Sequence, residues 1–357
     1  MMDMAQAGYA TDSIDLRSDT VTQPSPAMRQ AMAQAKVDDD VIGRDPTMVE
    51  LEQRAAELLG REAGLFMVSG SMSNAVALMV QVSRGDYFMA PRYAHILSHE
   101  LGTASWLAGG IPVELGWGET PGVPKLAEID AIAAEEDHGH AYFELVPRLL
   151  SLENTHNHAG GTIIPQALSD ALMAKAHQAG WQVHLDGARL WHAAAAQSIT
   201  PAEAAGAADS VTVCLSKGLG APVGSLLCGS QELIDRARRA RKMLGGGVRQ
   251  GGVLAAAGLV ALEQELPRID QDRILARRLA QGLRVLGFDA PVPQTNIIMV
   301  KPGQASQLSA SQLAASWNKI GVRCLTMGPA VRLVTHRDVD ESMIDQALDR
   351  IEDCLKA

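Results

Sequence analysis

The chain has 357 residues, which at about 150 residues per domain points to two lobes. Hydrophobic residues make up 47% and charged residues 20%, a balance that excludes a disordered chain or a collagen-like fibre. A formal charge of −10 repels phosphate backbones and anionic lipid, so neither nucleic acid nor membrane is an expected partner.

No stretch approaches the roughly 18 apolar residues of a membrane span. Met1 to Ser13 lacks the basic start and apolar run of a signal peptide, so a cytoplasmic protein is expected. Cys214, Cys228, Cys324 and Cys354 form no CxxC pair, which fits reduced thiols and excludes a zinc ribbon.

In chain order, residues 1–13 read as a flexible tail. Pro24 and Pro26 precede a first predicted helix over Ala27–Lys36, and Asp45-Pro46-Thr47 opens a second, Met48–Leu59, closed by Gly60. Seven short apolar runs follow as strands: Leu65–Val68, Tyr87–Ala90, Ile111–Leu115, Leu149–Leu152, Val183–Leu185, Val211–Leu215 and Ser225–Cys228. Helical stretches at Asn74–Val82, Leu126–Glu135, Gln166–Ala179 and Gln231–Met243 alternate with them. The alternation predicts an α/β fold, a large lobe with a mostly parallel seven-stranded sheet flanked by helices. After helices Ala255–Leu262 and Asp272–Leu286, strand Asn296–Val300, helix Ala310–Ile320, strand Val331–Val334 and helix Glu341–Lys356 describe a small C-terminal α+β lobe. The expected division is 14–265 for the N-terminal segment with the large domain and 266–357 for the small one. The N-terminal segment is expected to pack with the small lobe or a partner subunit.

Several motifs carry chemistry. Ser69-Gly70-Ser71-Met72-Ser73-Asn74 joins a strand to a helix. Its first-turn amides suit an anion such as phosphate, and the segment also reads as an ordinary serine-capped turn. His184-Leu185-Asp186-Gly187-Ala188-Arg189 ends a strand with an acid and a cation, where open α/β sheets bind ligands; a structural ion pair is the bland alternative. Lys217 follows an apolar strand at a glycine-rich turn, a setting for Schiff-base chemistry or for a lysine reaching solvent. Gly218, Gly220 and Gly224 do not match GxGxxG, and no GxSxG, P-loop or HExxH occurs.

His95, His99, His156 and His158 could form a metal set or face one crevice. The run Arg236 to Lys242 reads as a solvated helix face, with Lys242 or Arg249 able to assist an anion site. Arg332 interrupts an apolar strand, where an arginine commonly holds a carboxylate.

Phosphate loop, histidine, strand-end aspartate and lysine, in that order, resemble the aspartate aminotransferase fold of pyridoxal-phosphate enzymes, fold type I. Within it, the segments 15–21, 39–47, 152–157, 184–189, 215–220, 241–247 and 331–336 resemble the low-specificity L-threonine aldolase family. The resemblance implies pyridoxal 5′-phosphate as cofactor, no metal, and retro-aldol cleavage of L-threonine, L-allo-threonine and related β-hydroxy-α-amino acids to glycine and an aldehyde. In it, Lys217 would bond to the cofactor, Asp186 would hold the ring nitrogen protonated, and Arg189 would contact the 3-oxygen. Gly70, Ser71 and Met72 would cradle the phosphate, and Arg249 would reach a neighbour's site. His95 would stack on the ring, Ser18 and Arg332 would hold the substrate carboxylate, and His156 would sit near the β-hydroxyl, with either histidine or a water as base.

The family implies a homodimer or homotetramer with shared active sites. Where it commonly has tyrosine and an acid, this chain has Ile42 and Arg44. If that segment lines the mouth, the pocket becomes more apolar and less negative and favours bulkier substrates such as phenylserine. β-Elimination or racemisation on the same scaffold, a metal-dependent hydrolase, and a non-catalytic regulator are the competing readings.

Overall fold

The computed structural model describes residues 12–136 and 142–356; most of the expected tail, residues 1–11, lies outside them. The chain divides into two compact units, residues 22–270 and residues 12–21 together with 271–356. Residues 14–21, grouped with the large domain in the sequence reading, therefore cluster with the C-terminal segment.

Strand β1 (Ile14–Asp15) belongs to the smaller unit. The larger unit holds β2 (Ala63–Met67), β3 (Tyr87–Pro91), β4 (Ile111–Leu115), β5 (Pro147–Glu153), β6 (Gln182–Gly187), β7 (Ser210–Cys214) and β8 (Ser225–Gly229). They form one seven-stranded sheet in the order β2-β8-β7-β6-β5-β3-β4. Only β8 runs against its neighbours, antiparallel to both β2 and β7. β2 is therefore parallel to the rest, and β2, β3, β5, β6 and β7 all end at the same edge, the edge where open α/β sheets bind ligands.

Side chains alternate across a strand, and here the alternation separates chemistry from core. On one face the register aligns Ser151, His184 and Ser210 in one row and Glu153, Asp186 and Thr212 in the next; all six are buried. The alternate row, Leu152, Leu185 and Val211, lies in the main hydrophobic core.

Helices begin where capping chemistry allows. Ser25 and Asp45 accept hydrogen bonds from first-turn amides, so α1 (Pro26–Gln34) and α2 (Pro46–Leu58) start at their prolines, before the predicted positions. Ser69 caps α3 (Gly70–Gln81), which starts four residues before the predicted Asn74. α3 packs on β2, β6, β7 and β8, above the polar rows.

The smaller unit holds β9 (Ile297–Val300), β10 (Val322–Arg323), β11 (Leu325–Met327) and β12 (Ala330–Val334). β1 pairs with β10 in parallel, and β11-β12-β9 form an antiparallel sheet. Helices Ala310–Lys319 and Glu341–Lys356 pack around a core that includes Trp317 and Phe288. β11 was missed in sequence because Leu325 and Thr326 are exposed and carry no apolar run. Among the described residues, no helix is long and apolar enough to cross a membrane.

Candidate active site

The first turn of α3 is built as an anion cradle. Ser69 is extended and its hydroxyl accepts from the Met72 amide at 3.1 Å. The opening amides of a helix have no intrahelical partner, and the helix dipole leaves them positive. A Cβ on Gly70 would lie 3.1 Å from the Cys214 sulfur at the end of β7, so a larger residue fits only if that sulfur gives way by a few tenths of an ångström.

Asp186, at the end of β6, is buried. One carboxylate oxygen accepts from the Ala188 amide at 3.1 Å and the other from the Asn74 side-chain amide at 2.8 Å. Burial raises its pKa, but the attraction of His95 and Lys217, the Asn74 hydrogen bond and His184 together outweigh it, so the carboxyl stays below its usual range. Asp186 is therefore a buried anion.

His95 opens the short helix α4 (His95–Ser98), and its backbone N–H donates to the Glu153 carboxylate. Its Nδ1 lies 2.8 Å from Glu100 Oε1. Burial lowers its pKa, while the Glu100 hydrogen bond and the charges of Asp186, Glu100 and Glu153 lift it above the ordinary histidine value. Glu100 is itself buried. Burial and the nearby Asp186 push its carboxyl up against the pull of His95 and Asn74. Its Oε2 has no hydrogen-bond partner among the described residues.

Lys217 sits half-buried in the turn after β7, where its carbonyl accepts from the Thr22 hydroxyl at 2.9 Å. The backbone of this turn presses on His192, since a Cβ on Gly218 would fall 2.6 Å from the His192 ring. Arg189 is buried, and its guanidinium donates to Asn157 Oδ1 at 3.3 Å.

His156 is fully buried. Its Nδ1 accepts from the Ala159 amide at 3.3 Å and its Nε2 lies 3.1 Å from the Arg92 carbonyl, so both ring nitrogens are engaged by backbone. The four histidines weighed as a metal set do not converge. The three-ligand group among the described residues is His95, Glu100 and Asp186, with ligand atoms within 4.8 Å of one another. His99 instead stacks on His95, with ring centroids 5.3 Å apart, and His158 packs on Tyr93.

Arg249 is exposed and pairs with Asp39 at 2.8 Å. Ile42 is 85% exposed. Arg44 is exposed and pairs with the buried Glu52 at 2.8 Å. Ser18 and Arg332 lie in the smaller unit. The Ser18 hydroxyl accepts from the Thr20 amide at 3.3 Å, and the buried Arg332 donates to the Arg17 carbonyl at 3.1 Å.

Sequence reasoning gave no site role to Asn74, Glu100, Glu153 or His184. The signal was available in the strands: His184 lies two residues before Asp186, and so on the same face.

A sequence model of the family described as beta-eliminating lyase matches residues 15–305. The chain belongs to the beta-eliminating lyase family. It is 40% identical over 341 residues to low-specificity L-threonine aldolase 1 of Arabidopsis thaliana, covering 94% of each chain. Its fold resembles that of a Leishmania major threonine aldolase, with a TM-score of 0.81 and 20% identity over 95% of this chain and 98% of that one. It also resembles a serine palmitoyltransferase variant from S. paucimobilis solved with bound PLP, with a TM-score of 0.74 and 17% identity over 97% and 88% of the two chains.

The residues of this chain fit pyridoxal 5′-phosphate on observations of their own. The α3 cradle suits a phosphate, the buried Asp186 anion calls for a cation such as a protonated ring nitrogen, and Lys217 lies close enough to Asp186 to lower its pKa.

Proposed function

We propose that the chain is a PLP-dependent aldehyde-lyase, a threonine aldolase, that cleaves L-threonine, L-allo-threonine and related β-hydroxy-α-amino acids to glycine and an aldehyde. The observation that carries this reading is the buried, ionised Asp186 at a strand end, with His95 and Lys217 against it. When bound, PLP supplies an electron sink for the pair left on Cα when the Cα–Cβ bond breaks. Asp186 keeps the proton on the ring nitrogen, without which the sink is weak. Lys217 would offer the amine that joins the cofactor, Gly70, Ser71 and Met72 would hold its phosphate, and Arg189 would lie toward its 3-oxygen.

Of the two candidate bases, His95 is the one we assign. Its Nδ1 is taken by Glu100, which leaves Nε2 to receive the β-hydroxyl proton. The ring nitrogens of His156 are both held by backbone, so His156 shapes the loop beside the site. Ser18 and Arg332 are assigned to the substrate carboxylate; fixing it sets the scissile bond perpendicular to the ring and selects cleavage over decarboxylation or racemisation.

Ile42 in place of tyrosine supports a preference for bulky side chains such as phenylserine, and Ile42→Tyr is expected to lower kcat/KM for phenylserine relative to threonine. A homodimer or homotetramer with shared sites, Arg249 serving the neighbour, is supported by exposed apolar side chains in the larger unit: Leu101 is 95% exposed and Trp106 66%. We place the enzyme in the cytoplasm. The family description favours β-elimination as the second reading.

The test is the visible spectrum of purified protein before and after glycine and borohydride, with Lys217→Ala alongside, followed by product analysis on L-threonine. Glycine and acetaldehyde support the aldolase, 2-oxobutyrate points to elimination, and a colourless protein that takes up no PLP overturns both.

A further inference from the structure

We infer that Asn74, turned by His184, is a positioning residue for the cofactor ring, tying the carboxylate assigned to the ring nitrogen to the carboxylate that holds His95. The inference rests on the PLP reading above and goes beyond it by naming what sets the protonation of that ring.

Asn74 lies one helical turn beyond Gly70 on α3 and is buried. Both hydrogens of its side-chain amide are used: Nδ2 donates to Glu100 Oε1 at 2.9 Å and to Asp186 Oδ2 at 2.8 Å. Its Oδ1 lies 3.1 Å from His184 Nε2. Turning the amide over would set its oxygen against two carboxylate oxygens, so only one orientation is tolerable.

That orientation fixes the rest of the chain. Asn74 Oδ1 can only accept, so His184 Nε2 carries the hydrogen and His184 Nδ1 is the acceptor. Nδ1 lies 2.7 Å from the Ser210 hydroxyl, which must therefore donate to it. Ser210 in turn accepts from the Gln81 amide at 2.7 Å, and the same Gln81 nitrogen also donates to the Ala77 carbonyl at 3.0 Å. One donor at each step, from Gln81 through Ser210, His184 and Asn74, points toward the two acids.

The arrangement requires a neutral His184. A second ring proton would place two donors on Ser210 and strand its hydroxyl hydrogen. Full burial lowers the His184 pKa to about 4, against the attraction of Asp186 on the same strand; Asn74 from α3 and Ser210 from β7 face its two nitrogens.

The consequence concerns a proton. Asp186 and Glu100 have oxygens within 4.8 Å of one another, and two carboxylates that close in a buried setting compete to share one. A donor bridging both stabilises both as anions, so Asp186 remains able to hold the ring-nitrogen proton instead of keeping one itself.

The test reconstitutes wild type, Asn74→Leu, His184→Leu and His184→Gln with PLP labelled with ¹⁵N in the ring, and follows the ring ¹⁵N shift with pH beside kcat and KM for L-threonine. Wild type is expected to show a protonated ring nitrogen. Asn74→Leu is expected to shift the signal toward the unprotonated form and to lower kcat about 10- to 100-fold, the effect of losing the hydrogen bond to the Asp186 carboxylate, with KM changed far less. His184→Gln, whose amide can still donate to Asn74 Oδ1, is expected to stay nearer the wild-type signal than His184→Leu. A wild-type ring signal and kcat in Asn74→Leu overturn the inference. Should Asn74→Leu not fold, an unchanged signal in His184→Leu overturns it as well. Wild type that takes up no PLP removes the functional reading itself, a result distinct from either.

Discussion

The larger unit buries two clusters of acids, and their partners differ. Asp40 and Glu52 are met by three arginines: Arg241 reaches Asp40 at 2.9 Å, Arg238 reaches Glu52 at 3.0 Å, and Arg44 reaches Glu52 at 2.8 Å. Arg241 also donates to the Phe66 carbonyl, and the Phe66 amide to Glu52. Asp186 and Glu100 are met by an amide, a histidine and the charge of a lysine. Arginine keeps its proton at any working pH and locks geometry; amide, imidazole and amine leave protons to be placed. Burial of an acid therefore does not mark a site, and the protons its partners can exchange do. Burial carries both Glu52 and Glu100 up, and Asp186 alone of the three is held down, by His95, Lys217, Asn74 and His184.

Substitutions should separate the two clusters, the largest effects falling on chemistry. Lys217→Ala is expected to abolish turnover of L-threonine with little change in melting temperature, and a variant that still turns over and still traps cofactor with borohydride would dissolve the distinction. His95→Phe is expected to cost about 10²- to 10⁴-fold in kcat, the range of a general base. In Glu100→Gln the acid limb of kcat/KM should move to lower pH, because the hydrogen bond and charge that raise the His95 pKa are removed while Asp186 and Glu153 still face it and His99 still stacks on it.

Arg241→Leu tests the closed cluster. It removes the 2.9 Å partner of the buried Asp40 carboxylate, leaving only Arg238 at 3.6 Å and Arg44 at 3.7 Å, and is expected to lower stability by about 3 kcal/mol in urea unfolding, while the folded fraction keeps its PLP spectrum. His184 adds a pH term. Its folded pKa of about 4 lies below the ordinary 6.5, so the unfolded chain binds a proton that the folded one refuses, and stability falls as pH drops through that window by about 3 kcal/mol. In His184→Gln this acid loss should flatten. Smallest of all, Arg249→Ala removes an exposed pair and is expected to leave melting unchanged, while PLP retention falls if the arginine serves a neighbouring subunit.

The sheet was legible because a strand buried on both faces is an apolar run bounded by breakers, as at Val211–Leu215 and Ser225–Cys228. Asp186, Lys217 and the Ser69–Met72 turn were legible because each stands where such a run ends. Asn74 was not, since a polar residue inside a helix shows its partners only when the sheet beneath it is known. Glu100 was obscured by the histidines around it, and the pairing of Arg44 with the buried Glu52 was hidden because the two stand eight residues apart along the chain.

The one reversed strand bears on how firmly the amine is held. β7 and β8 are adjacent, so the segment carrying Lys217 is a return between neighbours, with the Leu215 amide bonded to the Gly224 carbonyl at 3.0 Å and the Ser225 hydroxyl to the Val213 carbonyl at 2.8 Å. Gly224 has φ +116°, and a Cβ there would lie 2.5 Å from the Phe66 ring, which seats the end of the return on β2. Displacing the lysine therefore means unzipping the middle of the sheet, so the backbone amides at its two anchors should exchange hydrogen for deuterium only in global opening.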